Sequence, residues 1–135
     1  MTSSSYSQPW PAPTARAPLD AALELPGSKS LTNRELVLSA LASEKTLLTA
    51  PLASRDSSLM IAALRTLGTE INELPNGNLE VIPQAFSRSA SIDCGLAGTV
   101  MRFVPPMSVL AAGDIRFDGD VAARRRPMHT TIESL

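Results

Sequence analysis

Histidine, cysteine, lysine and aromatic rings are all scarce in this chain of 135 residues. Each shortage excludes something. The one cysteine, Cys94, allows no disulfide within the chain and fits no zinc spacing. A reducing compartment is the simplest reading of that count. A lone thiol with no neighbouring base reads as a small core residue, not a nucleophile. The one histidine, His129, has no companion ligand for a metal site. Aromatic residues make up 4% of the chain and the net charge is −1. That leaves no stacking platform and no basic surface for RNA, and argues against a nucleic-acid partner. No apolar run approaches the length of a membrane span. Met1 to Ala17 is rich in Ser, Pro and Thr, has no acidic residue and lacks the apolar stretch of a secretory signal. It predicts a disordered lead-in over 1–17. Together these features predict a cytoplasmic protein without a membrane partner.

What is present is a foldable chain with an arginine bias. Apolar residues reach 44%, enough for the core of one ordinary domain over 18–135. The cations are 10 Arg and 2 Lys. Arginine grips phosphate and carboxylate as a bidentate fork, where lysine acts as a point charge. The densest chemistry lies in Pro26-Gly27-Ser28-Lys29-Ser30-Leu31-Thr32-Asn33-Arg34. Two cations and small hydroxyls stand there where an extended segment turns into a helix. Free N–H groups, the positive helix end and fixed charge make such a turn a seat for anions. It is not a nucleotide P-loop, because no upstream glycine has the required spacing from Lys29.

The pattern along residues 19 to 82 predicts β-α-β-α-β-β. Leu19 to Leu25 reads as a strand broken by Pro26-Gly27. Thr32 and Glu35 form a capping-box pair, which predicts a helix from Thr32 to Ala42. Lys45 to Thr49 is a strand. A second helix starts at Asp56 and ends at Gly68. Glu70 to Leu74 and Leu79 to Ile82 flank Pro75-Asn76-Gly77-Asn78, a hairpin signal. Ile92 to Cys94 is a further strand. A third helix begins at Gly98-Thr99 and ends at Gly113, with Pro105 and Pro106 expected to kink or interrupt it. Ile115 to Phe117 is a strand, a basic loop follows, and Thr130 to Leu135 begins a helix. This is an α+β chain with about one complete β-α-β-α-β-β unit and an unfinished second.

Two later features match the first in kind: Ala97-Gly98-Thr99 before an apolar helix, and Arg124-Arg125-Arg126-Pro127. Each has a plain structural reading beside the functional one. Lys29 and Arg34 can be solvated surface charges. Gly98 can be a tight-turn glycine. Arg102 reads as an ion-pair partner, and Arg55 with Asp56 as helix capping and surface charge. The run from Arg124 can be a solvated patch paired with Asp118 and Asp120, or an arm that closes over an anion. Three anion-friendly points point to a substrate with more than one phosphate or carboxylate.

Four motifs in order across residues 24 to 128 resemble the N-terminal part of the EPSP synthase family, the 3-phosphoshikimate 1-carboxyvinyltransferases, in its actinobacterial branch. They are Leu25 to Arg34, then Ser54-Arg55-Asp56, then Asp93 to Phe103, then Phe117-Asp118-Gly119-Asp120 with Arg124 to Pro127. The resemblance implies a carboxyvinyltransferase of the shikimate pathway, which leads to chorismate and the aromatic amino acids. Its reaction moves the enolpyruvyl group of phosphoenolpyruvate to the 5-hydroxyl of shikimate 3-phosphate and releases phosphate, with no metal or organic cofactor. It assigns Lys29, Ser30 and Arg34 to shikimate 3-phosphate, and Lys29, Gly98 and Arg126 to phosphoenolpyruvate, with Lys29 contacting both and counted as catalytic. Arg124 is the alternative to Arg126.

The family fold has two similar domains of three β-α-β-α-β-β units each, with the site between them. The chain matches roughly the first third of it, and residues 18–25 belong either to this portion or to the other domain. The family's acid and base residues lie in the unmatched part. The 135-residue chain is therefore expected to carry half a site and little or no turnover. A full-length family enzyme is expected to be monomeric, and this portion alone to self-associate through an open sheet edge. Gly98 predicts a seat that admits glyphosate, the inhibitor for which the family is known. The alternatives are an inactive anion-binding fragment and the related UDP-N-acetylglucosamine 1-carboxyvinyltransferases, which carry Lys-Asn where Lys29-Ser30 stands here and use a loop cysteine.

Overall fold

The computed structural model describes residues 10–23, 25–86 and 89–135. Residues 10–17 carry neither helix nor strand and are exposed, and the rest of the expected lead-in lies outside the described residues. The elements run α1 (Lys29–Ala40), β1 (Thr46–Leu48), α2 (Arg55–Leu67), β2 (Glu70–Glu73), β3 (Leu79–Ile82), β4 (Ala90–Asp93), α3 (Gly98–Ser108), β5 (Ile115–Asp118), α4 (Val121–Arg124) and α5 (His129–Glu133). Helices and strands are interleaved along the chain, and the fold is α+β.

Two sheets form. The first is antiparallel in the order β1-β3-β2, with Leu47 opposite Glu80 and Ile71 opposite Val81. The hairpin β2–β3 closes as its Asn-Gly tip predicts, with the Leu74 N–H donating to the Asn78 carbonyl at 2.9 Å. The second sheet is the parallel pair β4–β5, in register from Ala90 opposite Ile115 to Asp93 opposite Asp118. A parallel pair needs a long crossover, and α3 supplies it.

Helix α2 organises the core. Met60, Ala63, Leu64 and Leu67 lie on one face at helical spacing and are buried. That helix packs against α1, α3, β2 and β4. Leu36 from α1, Val81 from β3, and Val100 and Val104 from α3 are wholly buried in the same cluster. Each such aliphatic side chain contributes roughly 1.5–3 kcal/mol of burial. Gly68 stops α2 with φ 118°, a conformation that a side chain would strain.

Several local expectations are corrected. The strand expected over Leu19 to Leu25 is absent at residues 19–23 and 25, and Leu19, Leu23 and Leu25 are exposed. A strand persists only where a neighbour accepts its ladder, and neither sheet pairs with the described residues of this segment. The first unit is thus α-β-α-β-β among the described residues. Helix α1 starts earlier than expected. Ser28 is its N-cap, with its side chain accepting from the Leu31 N–H, so Thr32 and Glu35 form no capping box. Thr32 is buried instead, and its hydroxyl accepts from the Leu52 N–H at 3.0 Å. Helix α2 begins at Arg55 because Ser54 caps it, in a reciprocal box with Ser57.

Helix α3 runs through Pro105 and Pro106 without interruption and ends at Ser108, short of Gly113. Its buried Val100, Met101, Val104, Pro105 and Met107 hold by packing what two missing N–H groups weaken. The Ser108 hydroxyl also donates to the Pro105 carbonyl at 2.6 Å. The basic segment expected as a loop contains the short helix α4. Among the described residues no helix is long and apolar enough to cross a membrane.

Candidate functional site

Side-chain contacts bring the N-terminal turns of α1, α2 and α3 to one edge of the fold. Lys29, the first residue of α1, places Nζ 3.1 Å from Oδ2 of Asp56 in the first turn of α2. Asn33 in α1 donates from Nδ2 to Oγ1 of Thr99 in the first turn of α3, at 2.6 Å. Arg55, at the start of α2, donates from Nη2 to both carboxylate oxygens of Asp120, at 3.1 and 2.9 Å. Asp120 is the N-cap of α4 and ties that helix to the same edge.

Within α1, Arg34 points back one turn, and its Nη1 donates to Ser30 Oγ at 2.8 Å. Its guanidinium carbon lies 6.0 Å from the centroid of the Phe103 ring on α3. Ser30 and Arg34 are therefore one unit, and Lys29 stands beside them in the same turn. The entry to this turn is pinned. A Cβ on Gly27 would sit 3.0 Å from the Ala50 carbonyl oxygen.

The second seat is the start of α3. Ala97 precedes it with no side-chain cap, so the first N–H groups of α3 have no side-chain partner there. Gly98 opens the helix. A Cβ built on Gly98 would lie 3.1 Å from Arg126 Nη1. That brings together two of the residues singled out in the sequence. Arg126 Nη1 also lies 3.9 Å from the Met101 sulfur. Arg124 is engaged elsewhere. Its Nε and Nη2 form a bidentate pair with Asp118 at 2.8 and 2.9 Å. Hydrogen bonds from Arg124 and then from the Gly119 N–H hold the Asp118 carboxyl below its ordinary range.

The loop that carries Arg126 is held by a backbone crossing. The Asp120 N–H donates to the Gly95 carbonyl at 2.9 Å, and a Cβ on Gly119 would lie 2.5 Å from that oxygen. Only glycine fits at 119 without moving backbone. A cavity of about 370 Å³ opens beneath the loop, lined among others by Cys94, Met101, Phe117, Arg124, Arg126 and Met128.

Cys94 is buried, as a small core residue should be. Burial first, then Asp93 and Asp118, push its thiol up to about 11. It stays protonated near neutral pH and is a poor nucleophile. Arg102, expected in an ion pair, makes none among the described residues and is exposed on α3. Asp120, expected near the Arg124 to Arg126 run, pairs with Arg55 instead. Sequence reasoning missed Asn33 and Thr99. The signal was available: Asn33 is polar yet lies on the buried face of α1, with Leu36 and Ala40.

The arrangement can hold anions. Fixed cations stand at helix N-termini, and one bare glycine backbone has an arginine beside it. An α+β unit built this way has the chemistry of an anion seat. The chain belongs to the EPSP synthase (3-phosphoshikimate 1-carboxyvinyltransferase) family, whose model matches residues 13–135. It is 52% identical over 136 residues to the 3-phosphoshikimate 1-carboxyvinyltransferase of Kocuria rhizophila, covering 93% of this chain and 31% of that protein. With the Mycobacterium ulcerans enzyme of the same name it shares 47% over 137 residues, covering 95% and 31%. Among solved structures, EPSP synthase from Acinetobacter baumannii matches the fold with a TM-score of 0.68 at 24% identity, over 84% of this chain and 27% of that one. The chain thus spans about a third of the length of these curated relatives.

Proposed function

We propose that this chain supplies part of the substrate site of an enolpyruvyl transfer from phosphoenolpyruvate to the 5-hydroxyl of shikimate 3-phosphate, in the cytoplasm. Lys29, Ser30 and Arg34 hold shikimate 3-phosphate. Gly98 and Arg126 seat phosphoenolpyruvate, and Lys29 reaches both. The observation that carries this reading is the approach of Arg126 Nη1 to within 3.1 Å of the Cβ position of Gly98. A carboxylate or phosphate placed against the start of α3 meets free N–H groups and a guanidinium at once. The pairing of Arg124 with Asp118 favours Arg126 over Arg124 for this role.

The chemistry is addition followed by elimination. A proton goes to C3 of phosphoenolpyruvate, the 5-hydroxyl attacks C2 and gives up its own proton, and the tetrahedral adduct then loses a proton from C3 together with inorganic phosphate. Both reactants are multiply anionic. Fixed cations offset their mutual repulsion and hold C2 in line with the hydroxyl. The chain spans about a third of its relatives' length, and the acid and base are assigned to the remainder; the buried Cys94 thiol, held protonated, does not replace them. The 135-residue chain by itself is therefore assigned binding and orientation, with little or no turnover. The UDP-N-acetylglucosamine alternative gains no support, because its loop cysteine has no counterpart in the buried Cys94.

The test is a chimera in which this chain replaces the matching third of the Kocuria rhizophila relative. Phosphate release that requires both substrates, and that Lys29→Ala abolishes, is expected. A folded chimera without turnover contradicts the assignment.

A further inference from the structure

One buried group in the site is not used by the reading above. Asn33 is wholly buried. Its Nδ2 donates to Thr99 Oγ1 at 2.6 Å, while its Oδ1 is buried with no hydrogen-bond partner. Exchanging the amide's two ends would not help: the oxygen would then face the Thr99 hydroxyl, and the nitrogen would be the orphan. A polar atom left unpaired in a core destabilises the fold, so an apolar residue would serve packing better here. What the amide provides is a link. Among the side-chain hydrogen bonds of the described residues, this is the one that joins α1 to α3. Its two ends lie inside the two seats. Asn33 directly precedes Arg34, and Thr99 directly follows Gly98.

We propose that Asn33 is a positioning residue: through its bond to Thr99 it fixes the first turn of α3 against the second turn of α1, and so sets the spacing between the Lys29, Ser30, Arg34 seat and the Gly98, Arg126 seat. Helix packing alone allows small sliding of α3 along α1, because apolar contacts are not directional. A short hydrogen bond at the seat end of both helices removes that freedom where the two reactants must meet at fixed distance. The inference rests on the reading that these seats bind the two substrates, but the link itself is a property of the fold.

Truncating Asn33 risks the core, so Thr99→Val is the variant of choice. It is close to isosteric, keeps Asn33 in place and removes only the acceptor. Thr99→Ser restores a hydroxyl. Amide spectra of the 135-residue chain by nuclear magnetic resonance are compared for the three proteins. Thr99→Val should move the backbone signals of Gly98 to Val100 and also those of Ser30 to Arg34 on the other helix. Thr99→Ser should leave both sets near their original positions. Changes confined to α3, or a Ser variant that behaves as Val does, overturn the proposal. Titration with shikimate 3-phosphate and with phosphoenolpyruvate should show about tenfold weaker binding to Thr99→Val, rescued by Thr99→Ser. If the unmodified chain binds neither ligand, the substrate reading fails for this chain. The response of Ser30 to Arg34 still decides the link.

Discussion

Replacing Gly98 with alanine separates the packing role of that glycine from its role as a ligand seat. The added Cβ would sit 3.1 Å from Arg126 Nη1 and meets nothing else within 4 Å. That contact is too close by a few tenths of an ångström, but its partner is the tip of a long, flexible side chain. The fold can yield there at little cost. Gly98 is also the first residue of α3, where alanine removes unfolded-state freedom worth about 0.4–1 kcal/mol. The melting temperature of Gly98→Ala should therefore stay level or rise slightly. The seat should suffer. On the proposed reading a methyl group would stand where phosphoenolpyruvate meets the backbone, and Arg126 would be pushed aside. Loss of one charge-assisted hydrogen bond costs about 1.5–3 kcal/mol, roughly tenfold to a hundredfold in affinity. In the chimera this reads as a raised KM for phosphoenolpyruvate and weakened inhibition by glyphosate, with an unchanged KM for shikimate 3-phosphate. An unchanged KM for phosphoenolpyruvate in a correctly folded Gly98→Ala variant would refute the idea that this backbone touches the ligand.

Other substitutions follow from the same geometry. Arg126→Ala should raise the KM for phosphoenolpyruvate at least as much as Gly98→Ala, whereas Arg124→Ala should act less, because Arg124 is already paired with Asp118; steady-state kinetics of the two chimeras would expose the reverse order. Cys94 should resist alkylation in the native chain at pH 8, its thiol being buried and lifted to about 11; rapid labelling seen by mass spectrometry would contradict that burial. A thiol whose folded value is raised favours the fold while the unfolded thiol is still protonated. That contribution, up to about 3 kcal/mol, should fade as the pH rises from about 9 towards 11, and denaturant melts across that window check it. Leu64→Ala, at a wholly buried position on α2, should cost about 2–5 kcal/mol by urea unfolding; a change below 1 kcal/mol would mean that the core described here is not the one that holds the fold.

The elements most legible in the sequence were those with both a period and a stop. Helix α2 has apolar residues at helical spacing and a terminal Gly68, and it ends where that glycine predicts. The β2–β3 hairpin announced itself through Asn76-Gly77. Legibility failed where tertiary context overrode a local signal. Thr32 and Glu35 spell a capping box, yet Ser28 caps α1 and Thr32 turns inward to satisfy the Leu52 N–H. Pro105 and Pro106 spell a break, yet buried neighbours carry α3 past them. Leu19 to Leu25 alternates like a strand, but a strand is defined by its partner, and the sequence cannot say whether one is at hand. Of the candidate site, the cations and glycine were visible one by one. The turn of Lys29, Ser30 and Arg34 is local and legible, and the grouping of Gly98 with Arg126 came through the resemblance; residue spacing alone does not give the latter, because it depends on packing that only the folded chain has. Asn33 and Thr99, which join α1 to α3, look like ordinary helix residues until the contact between them is seen.

The central claim is that Lys29, Ser30 and Arg34 form a seat for a sugar phosphate at the start of α1. Calorimetric titration of the 135-residue chain with shikimate 3-phosphate, with inorganic phosphate as the control, tests it most directly. The account predicts saturable heat with shikimate 3-phosphate, little with phosphate at the same concentration, and loss of the signal in Lys29→Ala. A folded chain that binds shikimate 3-phosphate no better than phosphate would contradict it.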